Sequence, residues 1–179
     1  MYLVEGITSS NVHNKSILEI GCGVGGLHIT LLKEGAGSAV GIDIAQGMLD
    51  GAKVLAKELG METRTKYILG DFAQLNGEIE DADITILDKV VCCYEDVNTL
   101  LDKSLAKTRS TYALSFPKSS FLIKLFFGFH ITVAKLLHWK FRPHWHDWDA
   151  VVKRIESAGF KQMYQNATFF WDVRVFGKT

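Results

Sequence analysis

Apolar positions along the first two thirds of the chain alternate between two rhythms. Nearly continuous apolar runs at residues 16–20, 39–44, 65–69, 83–87 and 111–116 have the length and flanking turns of buried strands. Between them, residues 27–33, 48–59 and 97–105 space their apolar side chains by three and four, the helical period. This alternation predicts a largely parallel sheet with helices on both faces, because parallel strands are joined by crossover helices that cover it. Further on, residues 148–158 regain the helical period and stop at Gly159. Residues 161–176 read as strand, with Phe169, Trp171, Val173 and Val175 alternating against Asp172 and Arg174. Two strands joined by a turn near residues 165–167 would close the sheet with an antiparallel pair.

Only Pro117 and Pro143 are available to break elements, and they flank the one segment outside this rhythm. Residues 121–139 are apolar and almost long enough to span a bilayer. Lys124, His130 and Lys135 argue against spanning, while Phe121, Leu125, Phe129, Val133 and Leu136 form one stripe of an amphipathic helix. A helical insert at about 117–147, on the substrate side of a single domain covering 1–179, is therefore expected. Four roles stay open for it: a cap over a hydrophobic acceptor, peripheral contact with a membrane surface, a dimer contact, or a helix packed on the core.

Composition narrows the partners. The 179 residues carry 20 Lys plus Arg against 20 Asp plus Glu, so no global field favours nucleic acid or an anionic membrane. No basic stripe is evident, and a nucleic-acid partner is not expected. The first twenty residues lack the features of an export signal. Three cysteines, two of them adjacent, make a poor disulfide framework, which fits a reducing, cytoplasmic setting.

The densest chemical signal is Glu19-Ile20-Gly21-Cys22-Gly23-Val24-Gly25-Gly26, set between an apolar strand and a helix. Glycines there permit positive φ and close approach of a ligand to the backbone, while the helix start offers free N–H groups. The alternative is a tight turn that binds nothing. Gly21, Gly23 and Gly26 also satisfy a dinucleotide-binding spacing, and Asp43 at the end of the next strand would hold a ribose in either case. Three features favour a sulfonium methyl donor. Glu19 suits a cation better than a pyrophosphate. Asp71 and Phe72 after the third strand offer an acceptor for an adenine amino group and an apolar contact for its ring. A dinucleotide enzyme would also need a second half that this chain has little room for.

The series E-x-G-x-G-x-G at 19–25, G-I-D at 41–43 and G-D-F at 70–72 resembles the class I S-adenosylmethionine-dependent methyltransferases, and the resemblance covers about residues 15–178. The resemblance implies an α/β, Rossmann-like, seven-stranded and mostly parallel sheet, with an antiparallel seventh strand inserted between strands five and six. It also implies S-adenosyl-L-methionine as cofactor, with Gly21, Gly23 and Gly25 under the methionine part, Asp43 on the ribose, and Asp71 with Phe72 at the adenine. The full cofactor-binding expectation is Glu19, Gly21, Cys22, Gly23, Gly25, Asp43, Ile44, Asp71, Phe72 and Asp88. More narrowly, Leu87-Asp88-Lys89-Val90-Val91-Cys92-Cys93-Tyr94-Glu95-Asp96 resembles a motif of the magnesium-protoporphyrin O-methyltransferases, with Glu95 where several relatives have proline.

Methyl transfer needs an in-line approach by the acceptor, so positioning supplies much of the acceleration and a base is needed only for poorly ionised acceptors. Asp88, closing the fourth strand, is the candidate for contact with acceptor or methionine, the alternative being a helix or turn cap. Tyr94 is a candidate wall or hydrogen-bond donor, or else a packing residue. Cys92 and Cys93 lack zinc-site spacing and are read as buried small hydrophobes, and no metal is expected. His138, His144 and His146, interleaved with Trp139, Trp145 and Trp148, are either a ligand or relay cluster or ordinary packing in a substrate-side loop. His28 reads as structural. Together these features predict methyl transfer from S-adenosylmethionine to a small acceptor, whose apolar character the insert suggests. The alternatives are a cofactor-binding module with lost or regulatory catalysis and an NAD(P)-dependent oxidoreductase.

Overall fold

The computed structural model describes residues 2–75, 79–120, 123 and 144–179. A short helix α1 (Tyr2–Thr8) precedes the alternating series β1 (Ser16–Ile20), α2 (Gly26–Lys33), β2 (Ser38–Asp43), α3 (Gln46–Glu58), β3 (Thr65–Leu69), β4 (Ala82–Leu87), α4 (Val97–Ala106) and β5 (Thr108–Pro117). After the segment outside the described residues come α5 (Trp148–Ser157), β6 (Phe160–Ala167) and β7 (Trp171–Lys178). The seven strands form one sheet in the order β3-β2-β1-β4-β5-β7-β6. Strands β1 to β5 pair in parallel, and β7 runs antiparallel between β5 and β6. This is the Rossmann-like arrangement that the alternating pattern and the inserted last strand imply.

Strand periodicity divides the core in two. Leu18, Ile20, Leu87, Tyr112, Leu114 and Phe116 pack with α4 and α5 on one face. Ile17, Ile84, Ile86, Ala113, Val173 and Val175 pack with α1 and α2 on the other. Successive strand residues point to opposite faces, so a strand buried on both reads as a continuous apolar run. Two helices start at true caps: Asp96 accepts the Thr99 N–H at 3.0 Å, and Asp147 accepts the Asp149 and Ala150 N–H groups at 3.1 and 3.2 Å. The Phe116 ring stacks on Trp148 at 5.0 Å and seats α5 on the sheet.

Two expectations are corrected. The chain reverses at 168–170, not at 165–167, because β6 carries a register irregularity between Gln162 and Tyr164 and then continues pairing through Ala167 with Asp172. The turn is closed by Thr168, which donates its N–H to the Trp171 carbonyl and accepts the Trp171 N–H on its hydroxyl. Phe169 consequently sits in the turn, 74% exposed, rather than in a strand. Helix α1 was not anticipated; it is held by burial of Leu3 and Ile7 and by Gly6, whose missing Cβ leaves room for Tyr164 and Val175. Apart from Ile123, the amphipathic segment 121–139 lies outside the described residues. No described helix is long and apolar enough to cross a membrane.

Candidate active site

The sheet reverses its winding between β1 and β4, and a ligand crevice is expected there, beyond the carboxyl ends of the strands. A cavity of about 570 Å³ occupies that position. Its lining comes from the end of each central strand: Ile20 and Gly21 after β1, Asp43 and Ile44 after β2, Gly70, Asp71 and Phe72 after β3, and Asp88 to Val90 after β4. Cys93, Tyr94, Glu95 and His144 complete the wall.

The glycine loop is built as its sequence requires. Gly21, Gly23 and Gly25 all have positive φ, at 67°, 54° and 79°. At Gly21 an added Cβ would run into the Val90 side chain, so the loop needs glycine for space as well as conformation. Asp43 ties the loop to β2: its Oδ2 accepts the Gly23 N–H at 2.8 Å and its Oδ1 accepts the Ala45 N–H at 2.9 Å. Each oxygen accepts one of these bonds and keeps further acceptor capacity on a residue that lines the cavity, as a ribose diol would need.

At the far end, Asp71 Oδ1 accepts the Ala73 N–H at 3.0 Å and the Tyr94 hydroxyl at 2.7 Å, while Oδ2 accepts from the Gln74 amide at 2.9 Å. Burial, reinforced by this bond to a carboxylate, raises the Tyr94 phenol well above its ordinary pKa, so the hydroxyl stays a donor. Phe72 is buried with one side on the cavity, and Ile44 faces it at 72% exposure. Among the described residues Asp88 caps no helix; its Oδ1 accepts the Ser115 hydroxyl at 2.6 Å.

Four of the expected residues, Glu19, Cys22, Gly23 and Gly25, do not line the cavity. Glu19 is 3% exposed and its Oε2 lies 2.5 Å from His28 Nδ1, while His28 Nε2 meets the Tyr67 hydroxyl at 3.1 Å. Strand parity explains this: Ile20 lines the cavity, so Glu19 points to the opposite face, beneath α2. Burial raises the Glu19 pKa, with the bond to His28 opposing it. Cys22 packs against β2 where Gly41 has no side chain, and burial pushes its thiol up to about 12.

Several lining residues were not among the expected ones. Lys89 adopts φ 60°, rare for a side chain with a Cβ, and its N–H donates to Ser115 Oγ at 2.8 Å. His144 donates its N–H to the Cys92 carbonyl at 2.7 Å, and His146 Nε2 donates to the Tyr94 carbonyl at 2.8 Å, so both brace the loop after β4. Burial lowers the His146 pKa, with the nearby His144 adding to the effect. Of the cysteine pair, Cys92 is buried as expected, but Cys93 is exposed on the cavity wall. No metal-binding cluster occurs among the described residues.

A seven-stranded Rossmann-like sheet with β7 antiparallel between β5 and β6, and an acid-lined crevice at its switch point, is the arrangement that the resemblance to S-adenosylmethionine-dependent methyltransferases implies. Residues 17–111, just over half the chain, match the methyltransferase domain family, and the chain belongs to it. Ribosomal protein L11 methyltransferase from Shewanella woodyi is 38% identical over 69 residues, a match spanning 38% of this chain and 24% of that protein. The fold is shared with magnesium protoporphyrin IX methyltransferase from Synechocystis PCC 6803, solved with bound S-adenosylhomocysteine: TM-score 0.77, 21% identity, covering 99% of this chain and 80% of the other. It is also shared with an S-adenosylmethionine-dependent methyltransferase from Methanosarcina mazei: TM-score 0.77, 15% identity, with 96% of each chain covered. At these identities the structural likeness speaks for the fold.

Proposed function

We propose that the chain transfers a methyl group from S-adenosylmethionine to a small acceptor molecule by in-line displacement. The observation that carries this reading is Asp43, which pins Gly23 with one carboxylate oxygen and faces a cavity of about 570 Å³. That volume is in the range of small-molecule cofactor sites, roughly 300–1,000 Å³. The wall presents Asp43, Asp71, Asp88 and Glu95 against one lysine, a balance that suits a cationic sulfonium and ribose hydroxyl donors better than a pyrophosphate.

When bound, S-adenosylmethionine supplies a methyl group on positively charged sulfur. Gly21 would let the backbone approach the methionine part, Asp43 would accept from the ribose hydroxyls, and Phe72 and Ile44 would give the adenine apolar contacts. Asp71 holds the adenine end and is itself oriented by Tyr94. Glu19, through His28, stiffens the start of α2 from below, and Gly23 and Gly25 shape the loop that Asp43 grips. Asp88 stands where methyl donor and acceptor meet. The equal numbers of acidic and basic residues support a small acceptor over a nucleic acid.

Calorimetric titration with S-adenosylhomocysteine tests the reading, with NAD as control. Saturable binding is expected, weakened at least tenfold by Asp43→Ala. Binding of NAD alone, or of neither compound, would overturn it.

A further inference from the structure

Asp88 and Lys89 line two cavities. Besides the larger crevice they wall a cleft of about 100 Å³ on the side of α1 and β7. Its other walls include Tyr2 and Leu3 from α1, and Thr168, Trp171 and Val173 from the last hairpin. A displacement at carbon requires the nucleophile opposite the leaving sulfur, and because Asp88 and Lys89 belong to both walls, a ligand in the larger cavity and an acceptor in the cleft would approach one another at these two residues.

We propose that this cleft is the acceptor subsite, and that it takes a single-ring aromatic alcohol methylated at its hydroxyl oxygen. The proposal rests on the larger cavity holding S-adenosylmethionine. Its volume matches one six-membered ring, and its walls are aromatic or aliphatic apart from the polar groups at the Asp88 end and Thr168. The choice of nucleophile follows from the charge pair. Asp88 Oδ1 is taken by Ser115, leaving Oδ2, with the Lys89 ammonium 4.0 Å away and reaching over the Trp171 ring at 5.7 Å. A neutral hydroxyl satisfies both groups, donating to the carboxylate and accepting from the ammonium. A protonated amine would face the Lys89 charge and a carboxylate would face that of Asp88. In the transfer, an oxygen lone pair forms the new O–CH₃ bond, the S–CH₃ bond breaks with its electrons staying on sulfur, and the hydroxyl proton passes to Asp88 and then to water. Lys89 stabilises the negative charge developing on oxygen.

The test uses the full chain labelled with 5-fluorotryptophan and saturated with S-adenosylhomocysteine, with p-cresol as probe and benzylamine and benzoate as competitors. p-Cresol should shift the fluorine signal that Trp171→Phe removes, leaving those of Trp145 and Trp148 in place. With methyl-labelled S-adenosylmethionine, the label should appear in the methyl ether of p-cresol. Trp171→Ala should raise KM for p-cresol at least tenfold with little change in S-adenosylhomocysteine affinity. Asp88→Asn should slow p-cresol by roughly 10²–10⁴-fold, the usual worth of a positioned base, but not p-nitrophenol, which is largely ionised at pH 8, needs no base and in this variant no longer faces the Asp88 charge. Normal S-adenosylhomocysteine binding with no Trp171 shift, or transfer to benzylamine or benzoate in preference to p-cresol, would overturn the subsite alone. Absence of S-adenosylhomocysteine binding would overturn the cofactor reading beneath it.

Discussion

The Ser115 hydroxyl, on β5, donates to Asp88 Oδ1 at 2.6 Å and accepts the Lys89 N–H at 2.8 Å. One buried side chain thus aims the carboxylate between the two cavities and holds the next residue at φ 60°. A side chain with a Cβ in that conformation carries a cost of about 1–3 kcal/mol, which surrounding contacts must offset. Ser115→Ala removes both bonds and leaves the Lys89 N–H without its partner. Loss of about 1–3 kcal/mol is expected, read as a lower urea midpoint with an unchanged slope. Methyl transfer should fall further than S-adenosylhomocysteine affinity, because Asp88 is freed while Asp43 is untouched.

Gly21 combines φ 67° with contact against Val90, so Gly21→Ala introduces a side chain where neither conformation nor space admits one. The strain alone is worth about 1–3 kcal/mol. Because Val90 lines the crevice, pushing it aside should also weaken S-adenosylhomocysteine binding by at least tenfold in calorimetry. The double variant Gly21→Ala, Val90→Ala removes the clash and keeps the positive φ. It should regain part of the affinity and little of the stability lost to backbone strain.

The strands were legible because burial on both faces of the sheet leaves short, mostly apolar runs such as Ser16–Ile20, and the tight turn after β1 because four glycines in six residues call for positive φ. Glu19 shows where such reading stops. Its place two residues before Gly21 put it near the ligand, but strand parity sends it beneath α2 to His28. Helix α1 was hidden by its length of seven residues, too short to hold without the packing of Leu3 and Ile7. Lys89 and Cys93 were not legible as wall residues, and His144 only as one member of a histidine cluster whose role stayed open. They come from the loop after β4 and the approach to α5, and only the folded chain joins these, through the His144 N–H and the Cys92 carbonyl.

Asp83 ties the entry of β4 to that of β1. Its Oδ2 accepts the Ser16 N–H and hydroxyl, each at 3.0 Å, and its own N–H donates to Ser16 Oγ at 2.9 Å. The bond from the Ser16 backbone is the largest cause holding the Asp83 pKa below its ordinary 3.8. A carboxyl with a depressed folded pKa stabilises the fold above its unfolded pKa, and that stability is lost as pH falls through the folded value. Asp83→Asn should therefore cost about 1 kcal/mol at pH 7. The gap between variant and parent in urea unfolding should begin to close below pH 4 and shrink as acidity increases; a gap independent of pH would mean the charge plays no part.

Cys93 is the exposed member of an adjacent pair, and its thiol lies on the cofactor cavity while that of Cys92 is buried. Interaction between the adjacent thiols lowers the Cys93 pKa and raises that of Cys92, so thiolate forms first at the accessible position. Iodoacetamide at pH 8 should accordingly alkylate Cys93 at least tenfold faster than Cys92 or Cys22, resolved by peptide mass spectrometry. Saturating S-adenosylhomocysteine should slow that reaction, since a ligand seated between Asp43 and Asp88 covers the wall to which Cys93 belongs. Alkylated Cys93 should in turn obstruct S-adenosylhomocysteine binding, and Cys93→Ser should keep its binding after the same iodoacetamide treatment. Rapid modification without protection would place the ligand elsewhere than against this loop.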